Sequence, residues 1–175
     1  HVGQYLAVNV DKILVVSDTK LRRHELYSGP LKRLSPGANA FCFAFDEAAL
    51  DELRAEYQQR VAPVLADPEK AFLLDGKAAY SQPFSPEYYA VSFGLNPLLW
   101  VSCNHQRTYE VFQRFYNRLG VDQELLRLID HRDHSVLSCG FFVIGNRAPQ
   151  PVWHVDYEPD ANCYSVLTPL FELTP

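Results

Sequence analysis

Methionine is absent from this 175-residue chain, which opens on His1 rather than on an initiator. The reading therefore places the true N-terminus upstream, with a removed targeting segment left open. No basic run exceeds Arg22-Arg23 and the net charge is -5. Nucleic acid is a poor partner for such a chain, because backbone binding needs a clustered positive face. No apolar stretch approaches the length of a membrane span, so no membrane partner is expected. Internal repeats, low-complexity tracts and linkers are also missing, and residues 1–175 read as a single domain. Four cysteines occur, Cys42, Cys103, Cys139 and Cys163, and none forms a C-x-x-C pair. Each sits among apolar neighbours, as in Phe41-Cys42-Phe43. They read as buried free thiols, which favours a reducing, cytoplasmic setting.

What is present is ordinary in bulk and unusual in its aromatics. Hydrophobic residues make up 47% and charged residues 21%, as expected of a globular chain long enough for a sizeable core. Eleven Phe and ten Tyr imply a core of large side chains and a wide, aromatic-lined cleft. The C-terminal run Leu170-Phe171-Glu172-Leu173-Thr174-Pro175 stops just after a strand-like segment. The chain is expected to be a C-terminally incomplete portion of a longer protein.

The pattern alternates between strand and helix periods. Residues 5–17 are rich in Val, Leu and Ile and predict a strand pair or one strand with a turn. Residues 18–39 carry the breakers Ser28-Gly29-Pro30 and Ser35-Pro36-Gly37 and read as loop, with room for a short helix near Leu21. Phe41-Cys42-Phe43-Ala44-Phe45 has period two, which predicts a strand with three rings on one face. Asp46 is a good N-cap for the helix that follows, and Leu50, Leu53, Tyr57 and Val61 form its apolar stripe. Pro63 is expected to end it. Ala71-Phe72-Leu73-Leu74 reads as a short strand closed by Asp75-Gly76. Residues 78–100 carry Pro83, Pro86 and Pro97 among aromatics and read as irregular, a lid or cleft wall. Residues 108–119 predict a helix with Val111, Phe112, Phe115, Tyr116 and Leu119 inward and Gly120 as its stop. A second helix is expected over 122–129, a fully buried strand over 136–144 and a last strand over 162–170. This order fits an α+β fold or a helix-supported β-sandwich.

The candidate site is Trp153-His154-Val155-Asp156-Tyr157. Chance supplies roughly 0.4 His-x-Asp pairs in a chain with six His and eleven Asp, and this chain has two. His131-Arg132-Asp133-His134 follows a predicted helix and reads as a polar exit, where positive charge suits the helix end. His154 and Asp156 instead follow a long apolar strand and the loop Gly145-Asn146-Arg147-Ala148-Pro149-Gln150-Pro151. In an extended segment both side chains share a face, with Cα atoms about 6.6 Å apart. Imidazole and carboxylate could then meet one ion, and that donor pair suits Fe(II), Mn or Zn. The plain alternative is a structural histidine hydrogen-bonded to a nearby acid.

The run 151–157, with Asn162-Cys163-Tyr164-Ser165-Val166-Leu167-Thr168-Pro169-Leu170 after it, resembles the Fe(II)/2-oxoglutarate-dependent oxygenase superfamily. The motif-level likeness covers residues 136–170. It implies a double-stranded β-helix, or jelly-roll, core with supporting N-terminal helices. His154 and Asp156 would be metal ligands, completed in that family by a later histidine. It further implies decarboxylation of 2-oxoglutarate coupled to hydroxylation of a small-molecule or peptide substrate by O2. Asp156, a carboxylate rather than a small residue, leaves no room for a halide and so favours hydroxylation over halogenation. Asn162 and Tyr164 become candidates for cosubstrate contact. Arg147, Gln150, Trp153 and Tyr157 become candidates for substrate contact. The chain departs from the family in one respect: residues 155–175 contain neither a histidine nor a basic residue. Either the chain is truncated before the family's distal ligand and 2-oxoglutarate clamp, or it is not a working member of the family. Two other readings stay open. One is a non-catalytic jelly-roll binding module. The other is a zinc hydrolase using an earlier histidine, and that ligand order matches no familiar pattern.

Overall fold

Alternating β-branched and aromatic residues build antiparallel strands here, and helices with narrow apolar stripes accompany them. The computed structural model describes residues 12–17, 27–34, 39–67, 80–92, 98–129, 138–144 and 163–171. Its chain divides into two compact units. The first comprises residues 1–50, 117–134 and 153–175, the second residues 51–116 and 135–152. Together the described elements make a mixed α+β protein with two four-stranded antiparallel sheets among the described residues. Among those residues no helix is long and apolar enough to cross a membrane.

In the first unit the sheet runs in the order β2-β3-β1-β8. Its strands are β1 (Lys12–Ser17), β2 (Lys32–Arg33), β3 (Ala40–Ala44) and β8 (Tyr164–Leu167). β1 is the centre of the pairing, with Leu14 opposite Cys42 on one side and Leu167 on the other. In β3 both Phe41 and Cys42 are buried, so the start of that strand is covered on both faces. The rings of Phe43 and Phe45 are only half-buried. Period two therefore holds, but burial fades along the strand rather than following three rings equally. Tyr27 packs edge-on against Phe41 at 5.6 Å between centroids. Its phenol donates to Glu124 Oε2 at 2.6 Å, which satisfies the hydroxyl in a partly dry setting. Burial, reinforced by that carboxylate, pushes the Tyr27 phenol up to about 12.

The helix α3 (Asp122–Ile129) lies in the same unit. Val121, Leu125 and Leu128 are buried at helical spacing. The Val121 carbonyl accepts from the amides of Glu124 and Leu125, both at 3.0 Å. Before it, Gly120 adopts φ 64°, the left-handed turn that glycine takes without a Cβ penalty. The expected stop signal at Gly120 is thus the one the backbone uses.

In the second unit the sheet runs β4-β5-β6-β7, with β4 Tyr80–Ser85, β5 Tyr88–Ser92, β6 Leu98–Cys103 and β7 Gly140–Ile144. Residues 78–100, expected to be irregular, supply most of this sheet. The prolines punctuate it rather than break it. Pro83 lies in β4, an edge strand among the described residues, where a missing N–H costs no ladder bond on the open side. The register shifts between Pro83 and Ser85, and Pro86 occupies the turn into β5. Alternation then sets the inner face, with Tyr88, Ala90, Leu99 and Val101 fully buried.

Two helices lie mostly in this unit. The first, α1, is composite: a 3-10 turn over Glu47–Leu50, an α segment over Asp51–Glu56, a π turn over Tyr57–Val61 and an α segment over Ala62–Leu65. Asp46 caps it as expected, its Oδ1 accepting from the Ala48 amide at 3.0 Å. Pro63 does not end it. The Ala62 amide reaches back to the Tyr57 carbonyl, and this widened turn relieves the clash a proline ring imposes on the preceding turn. The second, α2 (Gln106–Leu119), buries Val111, Phe115 and Leu119, while Phe112 and Tyr116 are half-buried. The unit boundaries fall after Leu50 and after Tyr116.

β7 is not buried on both faces, as its continuous apolar run suggested. Phe141 is buried, but Phe142 and Ile144 are 48% and 64% exposed. An antiparallel strand packed on one face alternates in burial even when its sequence does not alternate in polarity. Inward, Phe141 meets Phe112, Tyr57 and Tyr88 at centroid distances of 5.0, 5.6 and 6.1 Å. Outward, Phe142 lies 4.5 Å from the Trp100 ring. Removing the Phe141 ring opens a cavity bordered by three aromatics. Phe141→Ala is expected to destabilise the chain by about 3–5 kcal/mol in denaturant unfolding, whereas Phe142→Ala should cost under about 1 kcal/mol.

Candidate functional site

Of the residues singled out from sequence, only Tyr164 falls among the described residues. His154, Asp156, Arg147, Gln150, Trp153, Tyr157 and Asn162 lie outside them, as do His131, Asp133 and His134. Tyr164 begins β8, half-buried and paired with Ser17 of β1. The motif therefore lies in the chain between Ile144, the end of β7, and Tyr164. Those two strands belong to different sheets. Of the flanking strands expected at 136–144 and 162–170, the described residues form strand over Gly140–Ile144 and Tyr164–Leu167, as β7 and β8. Among the described residues no group of three or more His, Cys, Asp or Glu side chains could hold a metal ion. His105 sits exposed at the start of α2, its Nδ1 accepting from the Arg107 amide at 3.2 Å.

The densest charged cluster among the described residues is centred on Arg107, in the first turn of α2. Its guanidinium is shared by two carboxylates. Nη1 and Nη2 donate to Glu56 Oε2 and Oε1 at 3.1 and 2.7 Å. Nε and Nη2 donate to Glu87 Oε1 and Oε2 at 2.8 and 2.7 Å. Tyr88 adds a bond from its phenol to Glu56 Oε1 at 2.9 Å. Arg60 Nε lies 3.9 Å from Glu87 Oε2. Behind the cluster, the buried Thr108 hydroxyl donates to the His105 carbonyl at 2.8 Å, and the Asn104 amide donates to the Glu87 carbonyl at 3.0 Å.

The chemistry of this cluster is that of a clamp. Both oxygens of each carboxylate accept from the same guanidinium, which holds the two acids against one cation. The hydrogen bonds from Arg107 hold the Glu87 carboxyl below its ordinary range, and the two carboxylates raise Arg107 further above neutrality. Burial, with the Glu56 charge alongside, pushes the Tyr88 phenol far up, so it keeps the proton it donates to Glu56. A cation in the first turn of a helix opposes the helix dipole, and the paired carboxylates offset that.

Sequence reasoning missed this cluster, although one signal was available. Glu56 sits between Leu53 and Tyr57 on the stripe side of α1 and is 7% exposed. An acid among apolar stripe residues predicts a buried partner. Its identity, Arg107, depends on a contact across 51 positions that no local pattern encodes.

The Glu87 shift makes a stability statement. Because the folded pKa lies below the ordinary 4.5, the contribution is complete above that value and is lost as pH falls through the folded value. Acid titration of the wild type should show this loss, and Glu87→Gln should be less stable near neutrality with a shallower acid limb. Arg107→Leu, which strands a buried carboxylate, is expected to cost about 2–4 kcal/mol, below the fully buried range because Arg107 is partly exposed.

No protein-family model, no curated protein and no solved structure matches this chain.

Proposed function

We propose that the chain carries the iron-binding motif of an Fe(II)/2-oxoglutarate-dependent oxygenase that hydroxylates a small-molecule or peptide substrate. The observation that carries the reading is His154-x-Asp156, which in chain order follows β7 and precedes β8. The architecture proposed with it is a double-stranded β-helix, or jelly-roll. The α+β content and the helices α1 and α2 are compatible with it.

The donor set fits the metal by its chemistry: an imidazole and a carboxylate suit a hard-to-borderline divalent ion and leave coordination positions open. Bound iron would supply the activation of O2 with 2-oxoglutarate. The chain's own residues would do the rest. His154 and Asp156 would hold the ion. Asn162 and Tyr164 would orient the cosubstrate through hydrogen bonds. Arg147 and Gln150 would contact polar groups of the substrate, and Trp153 and Tyr157 would wall the site and exclude water.

The reading is tested by anaerobic addition of Fe(II) and 2-oxoglutarate to the full-length protein. The proposal expects a weak visible charge-transfer band that His154→Ala abolishes while the far-UV circular dichroism stays unchanged. No band, or a band that persists in His154→Ala, would favour a binding module without iron chemistry.

A further inference from the structure

We propose that Cys103 and Cys139 form a thiol–disulfide site, a cross-strand pair that closes by exchange with a low-molecular-weight disulfide and reopens with the corresponding thiol. The inference does not depend on the oxygenase reading, since both residues lie in the described part of the second unit.

The pairing follows from register. β6 and β7 run antiparallel, with Val101 opposite Phe141 and Ser102 opposite Gly140. One step further sets Cys103 against Cys139, and the Cys103 amide donates to the Cys139 carbonyl at 3.0 Å. Directly opposed residues in an antiparallel pair have Cα atoms about 4.5–5.5 Å apart, within the disulfide range of about 4.4–6.8 Å. They also point to the same face. Parity puts both cysteines on the face of Val101 and Phe141, at the end of the strands, where each is half-buried and free. On the other flank of Cys103 stands Tyr88, which is fully buried. Of the residues opposite Cys103 on its two neighbouring strands, Cys139 is the thiol.

Gly140 strengthens the case. A Cβ at this position would collide with the Val101 carbonyl. Glycine lets β7 enter the sheet closer to β6 than another residue would allow, immediately beside the cysteine pair. The two thiols are also unequal. Hydrogen bonding from Cys139 holds the Cys103 thiol below its ordinary range against the opposing effect of burial, and the same bond keeps Cys139 protonated. The thiolate is the nucleophile in exchange, which gives Cys103 the first step.

That step is balanced as follows. The Cys103 thiolate attacks one sulfur of the small disulfide, forming a mixed disulfide and releasing one small thiolate, which takes up a proton. Cys139 then loses its proton and attacks the Cys103 sulfur, expelling the second small thiol. Two protein thiols are oxidised and one small disulfide is reduced to two thiols. Cys42, buried in β3, and Cys163 belong to the other unit and are not members of the pair.

The test equilibrates the protein in glutathione buffers from fully reduced to fully oxidised, traps free thiols by alkylation and maps the peptides by mass spectrometry. The expected result is loss of two alkylatable thiols, a peptide linked through Cys103 and Cys139, and recovery of both thiols on return to reduced glutathione. Cys139→Ser should accumulate a glutathione adduct on Cys103, and Cys103→Ser should leave Cys139 free. Four alkylated thiols at every ratio, or a linkage other than 103–139, would overturn the site. An adduct on Cys139 in Cys103→Ser would overturn the assigned order of attack.

Discussion

The second unit depends on the guanidinium of Arg107. Through Glu56 it fixes α1, through Glu87 it fixes the turn between β4 and β5, and its own backbone starts α2. Glu56 is nearly dry, and removing a carboxylate from water costs several kcal/mol unless its oxygens are bonded. Arg107 and Tyr88 supply those bonds from two different elements. The arrangement therefore favours one geometry of helix, turn and strand over near alternatives. The aromatic packing of Phe141 on Phe112, Tyr57 and Tyr88 needs those same elements in that geometry, so the polar clamp and the apolar core reinforce each other.

The helices were legible in the sequence because their signals are local. Asp46 as a cap, Gly120 as a stop and the 111–115–119 stripe each depend on residues within a turn or two. The strands of residues 80–103 were not, because Pro83 and Pro86 look like breakers until the topology makes β4 an edge and the pair 86–87 a turn. The apolar run before the motif was misjudged for a related reason. Phe142 and Ile144 look like core by composition, yet the strand has only one packed face. Hydrophobicity reports what a residue tolerates, and the sheet decides what it receives.

His154-x-Asp156 lies outside the described residues, and the apolar runs that form β7 and β8 were legible in part because each is contiguous in the chain. The partnerships that run across the fold were not. Glu56 with Arg107, and Cys103 with Cys139, join segments far apart in sequence, and only strand register and helix placement bring them together. The four cysteines read alike as apolar-flanked thiols, but Cys42 is buried while the other three are half-buried, and two of these share one end of β6 and β7.

The central functional claim is that His154 and Asp156 serve iron-dependent turnover of 2-oxoglutarate. Its most direct test measures succinate formed from 2-oxoglutarate by the full-length protein with Fe(II) and O2, beside Asp156→Ala. The account predicts succinate above the protein-free background, falling to that background in the variant and in chelator. Succinate at background in the wild type, or undiminished in Asp156→Ala, would contradict it.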